Sequence, residues 1–202
     1  MKIETISWTG QSLERVEDAA LLTGRGRFID DLGVRPGTLH AAILRSPHAH
    51  ADILAVEVSA AAVMPGVAAV VTGRDLAKLT TPMVAGLKVA VENWPMAVER
   101  VRYVGEPVAI VVAADRYLAE DALDAIEVEY GPLPCAVDPC ASLKSDAPVL
   151  HDNAGGNLVS DRRFRYGDPE SAFADAEHRV EVTIAYPRNT GAPMETFGVV
   201  AE

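Results

Sequence analysis

Runs of apolar residues of strand length alternate with short helical patterns through the first two thirds of the chain. Residues 39–45, 53–58, 67–72, 101–104, 107–113 and 127–130 read as strands, rich in Val, Ile and Leu. The unbroken apolar run at 107–113 predicts a strand buried on both faces, with Val108, Ile110 and Val112 on one side and Val111 on the other. Ser59 is positioned to cap a short helix that Pro65-Gly66 ends. Asp115 is positioned to cap a longer one through Ile126, with Leu118, Ala122, Ala125 and Ile126 on its inner face. Residues 75–79 read as a helical turn, and 80–95, broken by Pro82, Gly86, Asn93 and Pro95, as a loop with some strand character. The helices are few and short for a doubly wound parallel sheet. The pattern therefore predicts an α+β domain with a mixed sheet.

Outside that core the pattern changes. Residues 1–18 are polar and weakly periodic and read as an extended leader. Phe28-Ile29 predicts a short strand and Asp30-Asp31 a turn. Residues 133–156, rich in Pro, Ala, Asp and Gly, read as a linker between domains. Beyond it, 159–166, 179–186 and 199–201 predict strands. Asp168 with Pro169 predicts a capped helix between the first two. The domain scheme is thus a leader at 1–18, a first domain at 19–132, a linker at 133–156 and a second module at 157–202.

Composition narrows the function. Nearly half of the 202 residues are apolar, which excludes disorder, and the net charge of −11 argues against nucleic acid or an anionic membrane as partner. No apolar stretch reaches the roughly 18 residues of a spanning helix. Cys135 and Cys140 have no accompanying ligands for zinc or an iron–sulfur cluster and read as reduced thiols of a cytoplasmic protein. His48 and His50 share one face of an extended chain, yet lack a third metal ligand. Structural hydrogen bonding or domain contact is the expected role for them and for Arg45. Adjacent Asp30 and Asp31 point apart on an extended chain and do not form an acid–base pair.

Three segments carry a specific resemblance: Thr23-Gly24-Arg25-Gly26-Arg27-Phe28-Ile29-Asp30-Asp31, Arg45-Ser46-Pro47-His48-Ala49-His50-Ala51, and Val104-Gly105-Glu106-Pro107-Val108-Ala109. Together with Gly167-Asp168 and Pro193-Met194-Glu195, in this order, they resemble the opening of a molybdenum-hydroxylase large subunit. That family includes xanthine dehydrogenase, aldehyde oxidase and aerobic carbon monoxide dehydrogenase. The resemblance implies an α/β-hammerhead domain followed by the truncated start of a molybdopterin-binding domain. It implies an oxidoreductase complex that acts on an aldehyde or N-heterocycle. The cofactors implied are molybdopterin, in its cytosine dinucleotide form, with iron–sulfur clusters and FAD on other subunits. The partners implied are the remaining large-subunit portion, an iron–sulfur subunit and an FAD subunit.

The glycine-rich loop, further pterin loops and general-base glutamate of such subunits all fall after Pro-Met-Glu. This stretch is accordingly expected to hold no catalytic, cofactor-binding or metal-ligating residue, to bind no cofactor alone, and to be inactive alone. Arg45, His48, His50 and Glu195 are the candidates for a funnel wall or an interface. The rival expectation is a non-catalytic remnant or stand-alone interaction module that keeps the hammerhead fold.

Overall fold

The computed structural model describes residues 8–84, 91–193, 195 and 197–201. The chain divides into two compact units, Gly37–Val180 and Met1–Pro36 with Glu181–Glu202. These units cut the chain differently from the expected boundaries, since residues 19–36 group with the C-terminal stretch.

The elements run in chain order as α1 (Asp18–Leu22), β1 (His40–Arg45), β2 (Ala51–Glu57), α2 (Ser59–Ala62), β3 (Val67–Thr72) and α3 (Gly73–Leu76). The short strands β4 (Met83–Val84), β5 (Glu92–Asn93) and β6 (Arg100–Val101) follow. Then come β7 (Pro107–Ala113), α4 (Arg116–Leu123), β8 (Glu127–Pro132) and α5 (Pro169–Asp175).

Gly37–Val180 is built on two three-stranded sheets, ordered β1-β7-β3 and β6-β2-β8, with a two-stranded β4-β5 ribbon. Every described pairing is antiparallel, so the sheet expected to be mixed is two antiparallel ones. Part of the loop expected at 80–95 falls at 85–90, outside the described residues.

Strand β7 lies between β1 and β3. Its Ala109, Val111 and Ala113 are fully buried in a cluster with Ala61, Ala119, Ala122 and Ile126. The alanines on both sides of this contact let α4 lie close to the sheet. Asp115 caps α4 by accepting the Leu118 amide at 2.9 Å, as its position before the apolar run predicts. The inner face of α4 is centred on Ala119 and Ala122, with Leu118 only partly covered. On the other side of β7, Val108 is buried with Ala51, Ile53, Ala97 and Val101, while Ile110 and Val112 are half-buried. Both-sided burial thus holds at Val108 and is incomplete further along. Strand β3 is half-exposed because it lies at one edge of its sheet.

Residues 133–156 are tied down by local bonds. Asp138 accepts the Ala141 amide at 2.6 Å. Asn157 donates to the Ser142 and Pro148 carbonyls at 3.0 and 2.8 Å and accepts the Leu150 amide at 3.1 Å. The helix expected after Asp168 is α5, and Asp168 accepts the Ser171 amide at 3.4 Å. The strands expected at 159–166, 179–186 and 199–201 do not form among the described residues. Alternation supplies one apolar face, but a strand also needs a ladder partner and a cover. Val180, Val182 and Ile184 are 83%, 69% and 80% exposed.

In the other unit, residues 29–32 form a 3-10 turn where Phe28-Ile29 predicted a strand. Asp31 explains the change: its carboxylate accepts the Phe28 amide at 2.9 Å and closes the turn.

Candidate functional site

Pairing of β1 with β7 brings together two of the motifs singled out in the sequence. The register runs from His40 opposite Ala113 to Leu44 opposite Ala109, then shifts at Arg45, which lies opposite Pro107. The segments just past the strand ends, 46–50 and 103–106, are therefore neighbours. The Ser46 amide donates to the Glu106 carbonyl at 2.9 Å, and the Gly105 amide donates to the Ser46 carbonyl at 2.8 Å. Arg45 Nη1 donates to the Gly105 carbonyl at 2.9 Å. Gly105 has φ near +90°, a conformation that disfavours a side chain.

Ser46 is buried, and its hydroxyl accepts the His48 amide at 3.0 Å and bonds the His48 carbonyl at 3.2 Å. The His48 ring stands 4.8 Å from that of Tyr130, tilted by 59°. His50 is buried, with Nδ1 2.6 Å from the Pro134 carbonyl. A carbonyl only accepts, so Nδ1 carries the proton in this contact. Nε2 has no hydrogen-bond partner among the described residues.

Glu106 is buried beneath this junction and accepts the Arg102 amide at 2.5 Å. Burial raises its carboxyl above the ordinary value, and the bond from Arg102 opposes that rise. Burial, then the Glu106 charge, raises the Tyr103 phenol. Arg102 also reaches outward, with Nε on the Leu150 carbonyl at 2.9 Å. Arg100 bridges two carboxylates, Asp52 at 2.6 Å and Asp152 at 3.0 Å. His151, between these anchors in sequence, is pushed below the ordinary imidazole value by burial and next by Arg102.

Of the four candidates, Arg45, His48 and His50 come together at this junction, and Glu195 lies in the other unit. Glu195 Oε1 accepts the Ile29 amide at 2.6 Å and lines an open concavity of about 390 Å³ with Arg27, Phe28, Ile29, Leu32, Phe197 and Gly198. Met194 of the same motif falls outside the described residues.

The sequence reading missed Arg100, Arg102, Asp52, Asp152 and Asn157. The R-x-R spacing of Arg100 and Arg102 was the available signal, since residues two apart on a strand share a face. Chemically, the junction fastens backbone to backbone through the Ser46, Gly105 and Arg45 bonds. No group of three metal-ligating side chains occurs among the described residues. No described helix is long and apolar enough to cross a membrane.

Comparison with known proteins agrees with this architecture. Residues 23–134 match the model of the aldehyde oxidase and xanthine dehydrogenase a/b hammerhead domain, and residues 150–202 match that of a molybdopterin cofactor-binding domain. The nicotine 6-hydroxylase large subunit of Paenarthrobacter nicotinovorans is 40% identical over 197 residues, which cover 96% of this chain and 24% of that protein. The carbon monoxide dehydrogenase large chain of Hydrogenophaga pseudoflava is 40% identical over 201 residues, covering 92% and 24%. The crystal structure of quinoline 2-oxidoreductase from Pseudomonas putida 86 superposes with a TM-score of 0.66 at 44% identity, over 75% of this chain and 20% of that one. The chain spans about a quarter of the length of the curated relatives it matches. With more than half of its residues inside the hammerhead match, the chain belongs to the aldehyde oxidase and xanthine dehydrogenase family.

Proposed function

We propose that this chain supplies the hammerhead domain and the first part of the molybdopterin-binding domain in the large subunit of a cytoplasmic molybdenum-dependent hydroxylase. The observation that carries the reading is the pair of domain matches, in family order, over a quarter of the length of its relatives. The proposed domains are a leader at 1–18, the hammerhead at 19–132, a linker at 133–156 and the opening of the cofactor domain at 157–202.

The described residues do not fit the cofactor by themselves. From 161 to 201 they are exposed apart from Pro169, and the concavity beside Glu195 has no enclosing wall. The parent reaction would be oxidation of an aldehyde or N-heterocycle at carbon, with molybdopterin in its cytosine dinucleotide form. Iron–sulfur clusters and FAD would sit on two further subunits. That chemistry belongs to the cofactors, and the residues of this chain give packing and subunit contact. Arg45, His48 and His50 fasten the hammerhead turns, and Glu195 is a candidate for the funnel wall or an interface.

Expressed alone, the chain should carry no stoichiometric molybdenum. Expressed with the remaining large-subunit portion and both electron-transfer subunits, in a host that makes the cofactor, it should yield an assembly with about one molybdenum per copy. Elemental analysis decides. An assembly without molybdenum would favour a stand-alone interaction module, and about one molybdenum on the isolated chain would contradict the division of labour.

A further inference from the structure

Arg100 and Arg102 flank Val101, which is fully buried and anchors the short strand β6 against β2. Each arginine reaches a different point of the segment where the cofactor-domain match begins. Arg100 Nη1 donates to Asp152 at 3.0 Å while its Nε donates to Asp52 of β2 at 2.6 Å. Arg102 Nε donates to the Leu150 carbonyl at 2.9 Å, and its Nη1 to the Arg100 carbonyl at 3.3 Å. On the far side Asn157 closes the segment on itself through Leu150, Ser142 and Pro148.

We propose that Arg100 and Arg102 form a clip that seats residues 150–157 on the hammerhead sheet and so fixes where the cofactor-binding domain departs from it. The contact stands on the geometry alone; its role in seating that domain rests on the function proposed above. Both arginines are positioning residues. A guanidinium suits this task because its rigid fork can hold two acceptors at once, and the Arg100 side chain is only 24% exposed. The imidazole of His151, held toward its neutral form by burial and Arg102, adds no opposing cation between the two arginines at neutral pH. Val159 and Ser160, just past the clip, are half-buried, and the next residues, 161–168, are exposed.

The test is amide hydrogen exchange on the full chain, read at Leu150 and Ala154, with β7 amides as the control for an intact fold. Arg102→Met should speed exchange at both reporters about tenfold and leave β7 unchanged. Asp152 is exposed, so Asp152→Asn should give only about a twofold rise. It should also weaken the response to salt, because the exposed pair it removes is screened at high ionic strength.

Reporters unmoved by Arg102→Met, with β7 intact, would overturn the clip. Should Arg102→Met also loosen β7, the salt arm decides: reporters equally salt-insensitive in the unaltered chain and in Asp152→Asn would overturn it. The predicted exchange in a chain whose assembly takes up no molybdenum would keep the contact and reject the function. Molybdenum uptake with unmoved reporters would do the reverse.

Discussion

Val111→Asp is expected to destabilise the hammerhead severely. Val111 is fully buried at the middle of β7, with α4 packed over it, and its neighbours Ala109, Ala113, Ala119 and Ala122 offer no hydrogen-bond partner from their side chains. The change places an unpaired carboxylate in an apolar cluster, or forces it to stay protonated, at a cost of about 4–5 kcal/mol or more. Domains of this size are stable by only about 5–15 kcal/mol, so roughly a third or more of the reserve is consumed. Val112→Asp, on the half-buried face next door, should cost far less. Urea unfolding followed by circular dichroism measures both. An unaltered midpoint for Val111→Asp would mean that β7 does not occupy the centre of its sheet.

The second large effect is at Gly73, where helix propensity and packing disagree. Gly73 opens α3, directly after Thr72, whose side chain accepts the Asp75 amide at 3.4 Å. The Thr72 hydroxyl, followed by Lys78, draws the Asp75 carboxyl down to about 2. Propensity alone says that Gly73→Ala should stabilise the turn by up to ~1 kcal/mol. A methyl group there would stand 1.8 Å from the Ala97 carbonyl oxygen and 2.7 Å from its carbon. That carbonyl belongs to a buried residue whose own amide donates to Pro107 at 2.8 Å, so it cannot yield cheaply. A loss of about 3 kcal/mol is expected, from overpacking against backbone. Gly191→Ala, with open space around it, should be neutral by comparison. Thermal melts of the two variants separate the effects, and a rise in melting temperature for Gly73→Ala would contradict the close approach.

These two sites mark what the sequence could and could not convey. The unbroken apolar run announced β7, and Asp115 before an Ala-rich stretch announced α4, because burial and capping act within a few residues. Gly73 carried no such sign. Its reason is a carbonyl 24 positions away, visible only once α3 and the 96–97 segment meet. The motifs at 45–51 and 104–109 were recognisable as words, but their meeting depends on the β1–β7 register and its shift at Arg45. Arg100 and Arg102 escaped notice because β6 is only two residues long and pairs through two positions. The alternation at 179–186 misled for the opposite reason. It supplies an apolar face, and the cover and ladder that would make it a strand are not among the described residues.

The function proposed above has residues 158–201 open a cofactor-binding domain whose packing the rest of a large subunit completes. Tyr186, Phe197 and Val199 are 82%, 104% and 89% exposed, an amount of apolar surface that a finished domain rarely leaves in water. Amide hydrogen exchange, measured residue by residue on the chain alone and again in the assembled enzyme, tests it directly. Slow exchange is expected across β7 in both samples. Across 158–201 exchange should be fast in the isolated chain and strongly slowed after assembly. Uniformly slow exchange through Ala201 in a strictly monomeric sample of the chain alone would contradict it.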